Sequence, residues 1–165
     1  MKTILVTGSS SGIGKSTAIK FVKAGWNVVS WGRRFKKMEA WKNNLPLTDQ
    51  KRIFIQCVDV MSASQVTEAI QLIPENFKVI DLLVNNAGLA LGKSPIHEGL
   101  IKDWEQMIDT NLKGLLYVTK VISPEMVNRK SGQIINIGSI AGKETYPDGN
   151  VYNACLLYTS DAADE

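Results

Sequence analysis

Short apolar runs alternate along this chain with longer segments in which apolar residues recur at helical spacing. The short runs are almost continuously apolar, which is typical of strands covered on both faces of a parallel sheet. They are Thr3–Thr7, Asn27–Trp31, Arg52–Asp59, Ile80–Asn85 and Gln133–Gly138. The segments with helical spacing predict four helices. These are Gly12–Ala24, Lys36–Leu45, Ser62–Ile73 and Lys102–Arg129. Strands that alternate with helices predict an α/β fold built around a parallel sheet.

The size and composition of the chain fit one globular domain. Its 165 residues are 44% hydrophobic and 21% charged, which excludes disordered, collagen-like and coiled-coil proteins. The net charge of +3 is too small for a dedicated nucleic-acid binder. No apolar run is long enough for a signal peptide or a membrane span. With only Cys57 and Cys155, a disulfide framework is not expected, which favours a cytoplasmic protein. From the charge and the short apolar runs, we predict no nucleic-acid or membrane partner.

A glycine-rich stretch joins the first predicted strand to the first predicted helix. It reads Thr7-Gly8-Ser9-Ser10-Ser11-Gly12-Ile13-Gly14. Glycines at such a junction let the backbone approach a phosphate, at which the N–H groups of the helix point. A tight turn without a ligand is one alternative. A P-loop is another, because Gly14-Lys15-Ser16 ends like one, although Ser9 stands where the first glycine of that motif is required.

Four motifs, in chain order, resemble those of the short-chain dehydrogenase/reductase family. They are the glycine-rich turn, which matches T-G-x-x-x-G-I-G, then Asp59-Val60, Asn85-Asn86-Ala87-Gly88 and Ser139. Each lies at the carboxyl end of a predicted strand, the edge where open α/β sheets bind ligands. The resemblance covers Met1 to about Ala154. It implies a doubly wound Rossmann fold with strand order 3-2-1-4-5, truncated at its C-terminal end.

The end of the second predicted strand bears on the choice of cofactor. Folds that select NAD usually place an acid about 20 residues beyond the glycine-rich turn. Here Arg33 and Arg34 follow the strand instead, and the first acid is Glu39. Because a guanidinium pairs with a 2′-phosphate through two charge-assisted hydrogen bonds, we expect NADP rather than NAD. The alternative is that both arginines are solvated cations on a helix surface.

The resemblance also implies which residues contact the cofactor, and it implies no metal site. The implied contacts are Gly8, Ser10, Ser11, Gly12, Ile13, Gly14, Arg33, Arg34, Asp59, Val60, Asn86, Ala87 and Gly88. Among them, Asp59 would bind the adenine amino group.

Three residues are candidates for catalysis. Asn111 lies on the apolar stripe of the long helix, where burying a carboxamide without partners costs roughly 1–3 kcal/mol. We therefore expect it to be hydrogen-bonded, in a structural network or, as the resemblance implies, as the catalytic Asn of a proton relay. Tyr152 follows Ser139 by 13 residues, the spacing of the catalytic Ser and Tyr in the family. The resemblance implies that Ser139 binds a carbonyl oxygen and that Tyr152 protonates it.

The family pattern breaks just after Tyr152. Family members carry a lysine four residues later, whose charge lowers the pKa of the phenol, but this position is Leu156. Residues 155–165 resemble a translated sequencing adapter. We therefore expect them to be a non-native tail on a single domain of residues 1–154, and the chain as written to be inactive. A genuine C-terminal helix is the alternative.

Three segments point to a branch of the family, the NADP-dependent 3-hydroxy acid dehydrogenases of the serine or allo-threonine dehydrogenase type. The segments are residues 88–92, 108–111 and 149–152. The similarity implies hydride transfer between NADP(H) and a small hydroxy acid or alcohol, or its carbonyl form. A non-catalytic dinucleotide sensor is the alternative that Leu156 favours. Leu116, Tyr117 and Val121 predict a second apolar face on the long helix, and the resemblance implies a homodimer or homotetramer.

Overall fold

A parallel sheet of five strands, in the order β3-β2-β1-β4-β5, forms the centre of the molecule. The structure is a computed structural model that describes residues 1–161, with side chains to residue 159. The strands are β1 (Thr3–Thr7), β2 (Asn27–Gly32), β3 (Ile53–Cys57), β4 (Leu82–Asn85) and β5 (Gln133–Asn136). All four strand pairs are parallel, so the predicted sheet and its strand order are confirmed.

Helices follow the strands and cover both faces of the sheet. They are α1 (Gly12–Lys23), α2 (Phe35–Asn43), α3 (Leu47–Gln50), α4 (Ala63–Gln71), α5 (Ile101–Met107), α6 (Leu115–Asn128) and α7 (Asn150–Asp161). Ser62 caps α4, because its hydroxyl accepts a hydrogen bond from the Gln65 amide. The short helix α3 was not predicted.

Two apolar clusters hold the helices to the sheet. Side chains of successive strand residues point to opposite faces, so Leu5 of β1 belongs to one cluster and Ile4 and Val6 to the other. The first cluster packs α4 and α6 on the sheet, and the second packs α1 and α2. Both clusters meet at β1, β2 and β4, which are buried along their whole lengths.

The edge strands differ from this pattern. In β5, Gln133 and Ile135 are exposed and the two alternate residues are half-buried. The expectation that every strand is covered on both faces is therefore wrong for β5, which has a neighbour on one side only among the described residues. The end of β3 is likewise exposed, at Cys57.

The long predicted helix Lys102–Arg129 is not uniform. It begins at Ile101, and its middle, Ile108–Gly114, is π-helical between α5 and α6. The π-helical turn lies against the end of β3, where a Cβ on Gly114 would come within 2.8 Å of Val60 Cγ2. Such insertions are frequent at functional sites. Periodicity predicted helix here, but not this change of pitch.

The second apolar face predicted for the long helix is smaller than expected. Leu116 is exposed, whereas Tyr117 and Val121 pack against the first core cluster. Of the three residues, only Leu116 is exposed, and the other two are half-buried. In the described part of the chain, no helix has both the length and the apolar character that a membrane crossing requires.

Helix α7 passes through the predicted domain boundary at residue 154 without a break. Cys155 and Leu156 are buried in it. The assignment of residues 155–165 as a non-native tail stays a prediction, and residues 162–165 lie outside the described part.

Candidate active site

The β1–α1 turn is shaped by close packing against the segment that follows β4. Gly8 has a φ of +66°, and a Cβ there would lie 2.9 Å from the Cα of Ala87. Gly12 also has a positive φ, of +55°, but a Cβ there would meet no atom within 4 Å. Gly8 is therefore required by both conformation and contact, and Gly12 by conformation alone.

Thr7 joins the two turns through its hydroxyl. Its Oγ1 accepts hydrogen bonds from the amides of Asn86 and Ala87, both at 3.0 Å. In return, the Asn86 side chain donates to the carbonyl oxygen of Thr7 at 2.9 Å. These hydrogen bonds fix the glycine-rich turn and the Asn86–Gly88 turn relative to each other.

A large cleft of about 630 Å³ opens at this carboxyl edge of the sheet. Its walls come from the glycine-rich turn, the ends of β2 and β3, and the turn after β4. The lining residues are Gly8, Ser10, Ser11, Gly12, Ile13, Gly32, Arg33, Arg34, Val58, Asp59, Val60, Asn86, Ala87, Gly88, Leu89 and Thr110. Every predicted cofactor contact except Gly14 is among them. Gly14 is buried in α1, where a Cβ would collide with the Asn86 side chain.

Arg34 faces the glycine-rich turn from the start of α2. Its Nη2 donates to the hydroxyls of Ser10 and Ser11, both at 2.8 Å, and its Nε donates to Ser10 at 3.0 Å. Arg33 Nη1 lies 4.0 Å from Asp59 Oδ2 on a partly exposed surface. Two cations and one carboxylate thus line this part of the large cleft, which gives it a positive balance.

Asn111 is buried in the π-helical turn and has specific partners. Its Oδ1 accepts from the Leu89 amide and its Nδ2 donates to the Leu89 carbonyl oxygen, both at 2.8 Å. The expectation that this carboxamide is hydrogen-bonded is confirmed. The pair of bonds ties the long helix to the segment after β4.

A small cavity of about 230 Å³ lies between that segment and α7. Asn111 and Tyr152 both line it, so the structure brings together two of the three predicted catalytic residues. Leu156 is buried and lines the same cavity, one helical turn after Tyr152. None of the lining residues is charged. Within the described residues, the lining of the small cavity therefore contains no cation that could lower the pKa of a phenol.

Ser139 lies next to the small cavity but is not part of its lining. It follows the lining residue Gly138, and its Oγ accepts a hydrogen bond from the Ala141 amide at 3.2 Å. This bond caps the short 3₁₀ turn Ile140–Gly142. It uses a lone pair of the oxygen, so the hydroxyl proton can still be donated to another group.

The family model described as short chain dehydrogenase matches residues 2–155. The chain belongs to this family. It is 44% identical over 155 residues to the NADP-dependent 3-hydroxy acid dehydrogenase YdfG of Salmonella typhi and 43% identical over 156 residues to serine 3-dehydrogenase of Rhizobium radiobacter. These matches cover 94% of this chain and 61% of each relative. The chain thus spans about three fifths of the length of these relatives.

Solved structures of family members agree with the fold. The crystal structure of serine dehydrogenase from Escherichia coli matches with a TM-score of 0.91 at 41% identity, over 97% of this chain and 72% of that one. A closed form of serine dehydrogenase complexed with NADP+ matches with a TM-score of 0.92 at 41% identity, over 97% of this chain and 63% of that one.

Two side chains in the described part of the chain have shifted pKa values: Lys113 in the π-helical turn and Cys155 in α7. Neither lines the large cleft or the small cavity. The Asp109 carboxylate, 2.7 Å from the Lys113 ammonium, raises the pKa of that lysine through a hydrogen bond and its charge. Burial raises the pKa of the Cys155 thiol. Within residues 1–161, no group of three or more His, Cys, Asp or Glu side chains is placed to hold a metal ion.

Several residues of the site were not predicted from the sequence. Thr7 belongs to the motif, yet its role in joining two turns depends on contacts with Asn86 and Ala87. Thr110 lines the large cleft, and its buried hydroxyl has no partner among the described residues. The signal for Thr110 was its position directly before Asn111. The remaining lining residues, Gly32, Val58 and Leu89, contribute mainly backbone or apolar surface and give no signal of their own.

Proposed function

We propose that this chain is part of an NADP(H)-dependent oxidoreductase that acts on a small hydroxy acid or alcohol, or on its carbonyl form. The observation that carries the proposal is the arrangement of Arg34, Ser10 and Ser11 in a large cleft that has no acid at the end of β2. The names of the relatives, NADP-dependent 3-hydroxy acid dehydrogenase and serine 3-dehydrogenase, support the same chemistry.

The residues of the large cleft fit a dinucleotide phosphate. Arg34 and the two serine hydroxyls supply donors for a 2′-phosphate, and Arg33 adds charge. Gly8 keeps the turn free of a side chain where backbone approaches the Ala87 segment. When bound, NADP(H) supplies or accepts the hydride.

The candidate catalytic residues act on the oxygen of the substrate. In reduction, the growing negative charge on the carbonyl oxygen requires a proton, which Tyr152 donates. Ser139 donates a hydrogen bond to the same oxygen and so stabilises the charge. Asn111, fixed by Leu89, orders the proton relay behind Tyr152.

A second function is favoured by Leu156. A cavity that brings a tyrosine together with apolar and amide groups, but no charge, provides little assistance to proton transfer at neutral pH. A protein that truly has leucine here would bind the dinucleotide without rapid turnover, as a sensor does.

We also propose that residues 155–165 are not native, a proposal supported by the break in the family motif at Leu156. Long-read sequencing of the genomic locus tests it. A reading frame that continues past residue 154 with a different sequence and lysine at position 156 is expected. A stop codon directly after Glu165 would contradict it.

We infer further that the complete protein is a homodimer or homotetramer through α6, where Leu116 is exposed. Light scattering at micromolar concentration is expected to give two or four times the mass of one chain. A monomer would contradict this inference.

Isothermal titration calorimetry with NADP+ and NAD+ tests the cofactor. We expect tighter binding of NADP+, and a double variant Arg33→Ala/Arg34→Ala that loses most of the difference, about 10- to 100-fold for charge-assisted bonds to a phosphate. The matched control is Lys36→Ala/Lys37→Ala, which removes the same charge from neighbouring positions that do not line the large cleft. Equal affinities of the unmodified chain for both dinucleotides would overturn the proposal.

A further inference from the structure

A buried polar cluster lies directly behind the glycine-rich turn. Its members, Ser9, Ser30, Met38 and Trp41, come from the turn, β2 and α2, and we name them the Ser9 cluster. Ser9, Ser30 and Met38 are 0% exposed and Trp41 is 4% exposed. None of the four lines the large cleft, so their side chains are not expected to touch a ligand there.

Ser9 is fixed to β2 from two directions. Its amide donates to the Trp31 carbonyl oxygen at 3.2 Å, and its Oγ lies 3.0 Å from that same oxygen. The Oγ also lies 2.5 Å from Ser30 Oγ and 3.3 Å from Met38 Sδ. The backbone of the turn at Ser9 is therefore a fixed point relative to the sheet.

Trp41 attaches α2 to this fixed point. Its indole Nε1 donates to the carbonyl oxygen of Ser9 at 3.1 Å, and the bond is buried. Met38, one helical turn earlier, packs closely against the end of β2, where a Cβ on Gly32 would lie 3.3 Å from its Sδ. Both residues point from α2 toward the glycine-rich turn and the end of β2.

The consequence for ligand binding follows from where Arg34 stands. Arg34 occupies the N-cap position of α2, whereas the partners of its side chain, Ser10 and Ser11, directly follow Ser9 in the turn. An exposed arginine is flexible, so its alignment depends on the backbone that carries it. The bond from Trp41 to Ser9 fixes the position of α2 relative to the turn, and thereby the distance between Arg34 and the two serines.

We propose that Trp41 is a positioning residue that sets the preference of the large cleft for a 2′-phosphate. This inference rests on the proposed use of NADP(H). The inference divides the large cleft into two parts. One part, Arg34 with Ser10 and Ser11, depends on the position of α2. The other part, the Gly12–Ile13 end of α1 and the Asn86–Gly88 turn, makes none of the contacts that join the Ser9 cluster to α2. Loss of the Trp41 bond should therefore weaken NADP+ more than NAD+.

The test is the ratio of dissociation constants for NAD+ and NADP+, measured by calorimetry on the unmodified chain and on Trp41→Phe. Phenylalanine keeps most of the buried ring and removes the N–H donor. We expect the ratio to fall about three- to tenfold, the effect of one buried hydrogen bond, with NAD+ affinity changed by less than about twofold.

Trp31→Phe is the matched control. Trp31 is also buried and its indole N–H is also bonded, but to Gln56 Oε1 on β3 at 2.7 Å. We expect its ratio to stay at the unmodified value. A second variant, Ser30→Ala, removes a partner of Ser9 with a smaller loss of volume, and it should lower the ratio in the same direction as Trp41→Phe.

The outcomes are distinct. If the unmodified chain does not prefer NADP+, the proposed function fails. If it does, and Trp41→Phe and Ser30→Ala lower thermal stability but keep the ratio, the cluster is core packing and the inference is overturned. An equal fall of the ratio in Trp31→Phe overturns it as well, because the effect is then general to this side of the sheet.

Discussion

The large cleft and the small cavity lie at the same edge of one sheet, yet they are built differently. The large cleft rests on β1 and β2, which are buried throughout, and polar contacts such as those of Thr7 and Arg34 join its walls. The small cavity adjoins β5, a half-exposed strand, and its lining is uncharged. Its wall includes Leu156, at the position where the family resemblance implies a lysine.

The difference shows which half of a dehydrogenase site the central strands can support alone. Binding surfaces come from turns that join consecutive strands and helices, so the local sequence and the central sheet complete them. Proton transfer from a phenol is additionally helped by a nearby cation, which lowers the pKa of the phenol. In this chain the large cleft contains two arginines and one carboxylate, whereas the small cavity contains a tyrosine and an asparagine without a charged lining residue.

Replacing leucine by lysine at position 156 is expected to give the largest change, an increase in the rate of the reaction. We consider residues 1–154 extended by the C-terminal part of a relative, with either lysine or leucine at position 156. The lysine version is expected to oxidise NADPH with a small 3-oxo acid about 10²- to 10⁴-fold faster, because a cation at this position activates Tyr152 as the acid. Initial rates at neutral pH measure the difference.

Tyr152→Phe in the lysine version is the control, and it should remove the gain. Comparable turnover of the leucine and lysine versions would show that the uncharged cavity is not what limits the reaction.

Core truncations on neighbouring strands compare the two regions in stability. Leu83→Ala, on fully buried β4, is expected to lower the free energy of unfolding by about 2–5 kcal/mol. Ile135→Ala, on β5, removes a side chain that is 38% exposed and should cost less than about 1.5 kcal/mol. Urea unfolding gives both values. Similar losses would mean that β5 is as well covered as the centre of the sheet.

Two glycines of the same turn separate steric contact from conformational strain. Gly8→Ala combines a positive φ with a clash against Ala87, and we expect a loss of about 2–3 kcal/mol together with weaker dinucleotide binding. Gly12→Ala, with a positive φ and open space, should cost only about 1 kcal/mol. Thermal unfolding and calorimetry measure both. If Gly12→Ala is the more damaging variant, the contact with Ala87 is not what makes Gly8 necessary.

The two cysteines allow a comparison of labelling rates at two single positions, and this is the smallest expected effect. Cys57 is exposed at the end of β3, and Cys155 is buried in α7 with a raised thiol pKa. At pH 8, iodoacetamide should label Cys57 first, because the reaction requires an accessible thiolate. Peptide mass spectrometry after timed quenching follows the two sites separately. Equal rates would indicate that α7 opens readily.

The raised pKa of Cys155 also predicts a pH dependence. A thiol whose folded pKa lies above its unfolded value contributes stability at low pH that is lost as pH rises through the folded value. The free energy of unfolding should therefore fall above about pH 9, the ordinary thiol range, and fall less in Cys155→Ala. An unchanged slope in the variant would assign the alkaline loss to other groups.

The sequence by itself determined the parts of this protein that are local. Continuous apolar runs identified all five strands, and the glycine-rich turn identified the junction at which the large cleft opens. The resemblance carried by the four motifs implied the strand order and most residues of the cleft lining. The strands and the turn are encoded by neighbouring residues, because strand burial and turn conformation depend on side-chain type and on backbone φ over a few positions.

Only the tertiary structure decided which distant groups meet. It paired Asn111 with the Leu89 backbone and bonded Trp41 to Ser9. It also packed Tyr117 and Val121, which periodicity assigned to an outer face, against the first core cluster, where they are half-buried. It also introduced the π-helical turn, in which Gly114 lies against Val60, a residue far away in the chain. The periodicity of apolar residues predicts that a residue is buried. Which distant residue it contacts depends on how the helices pack on the sheet.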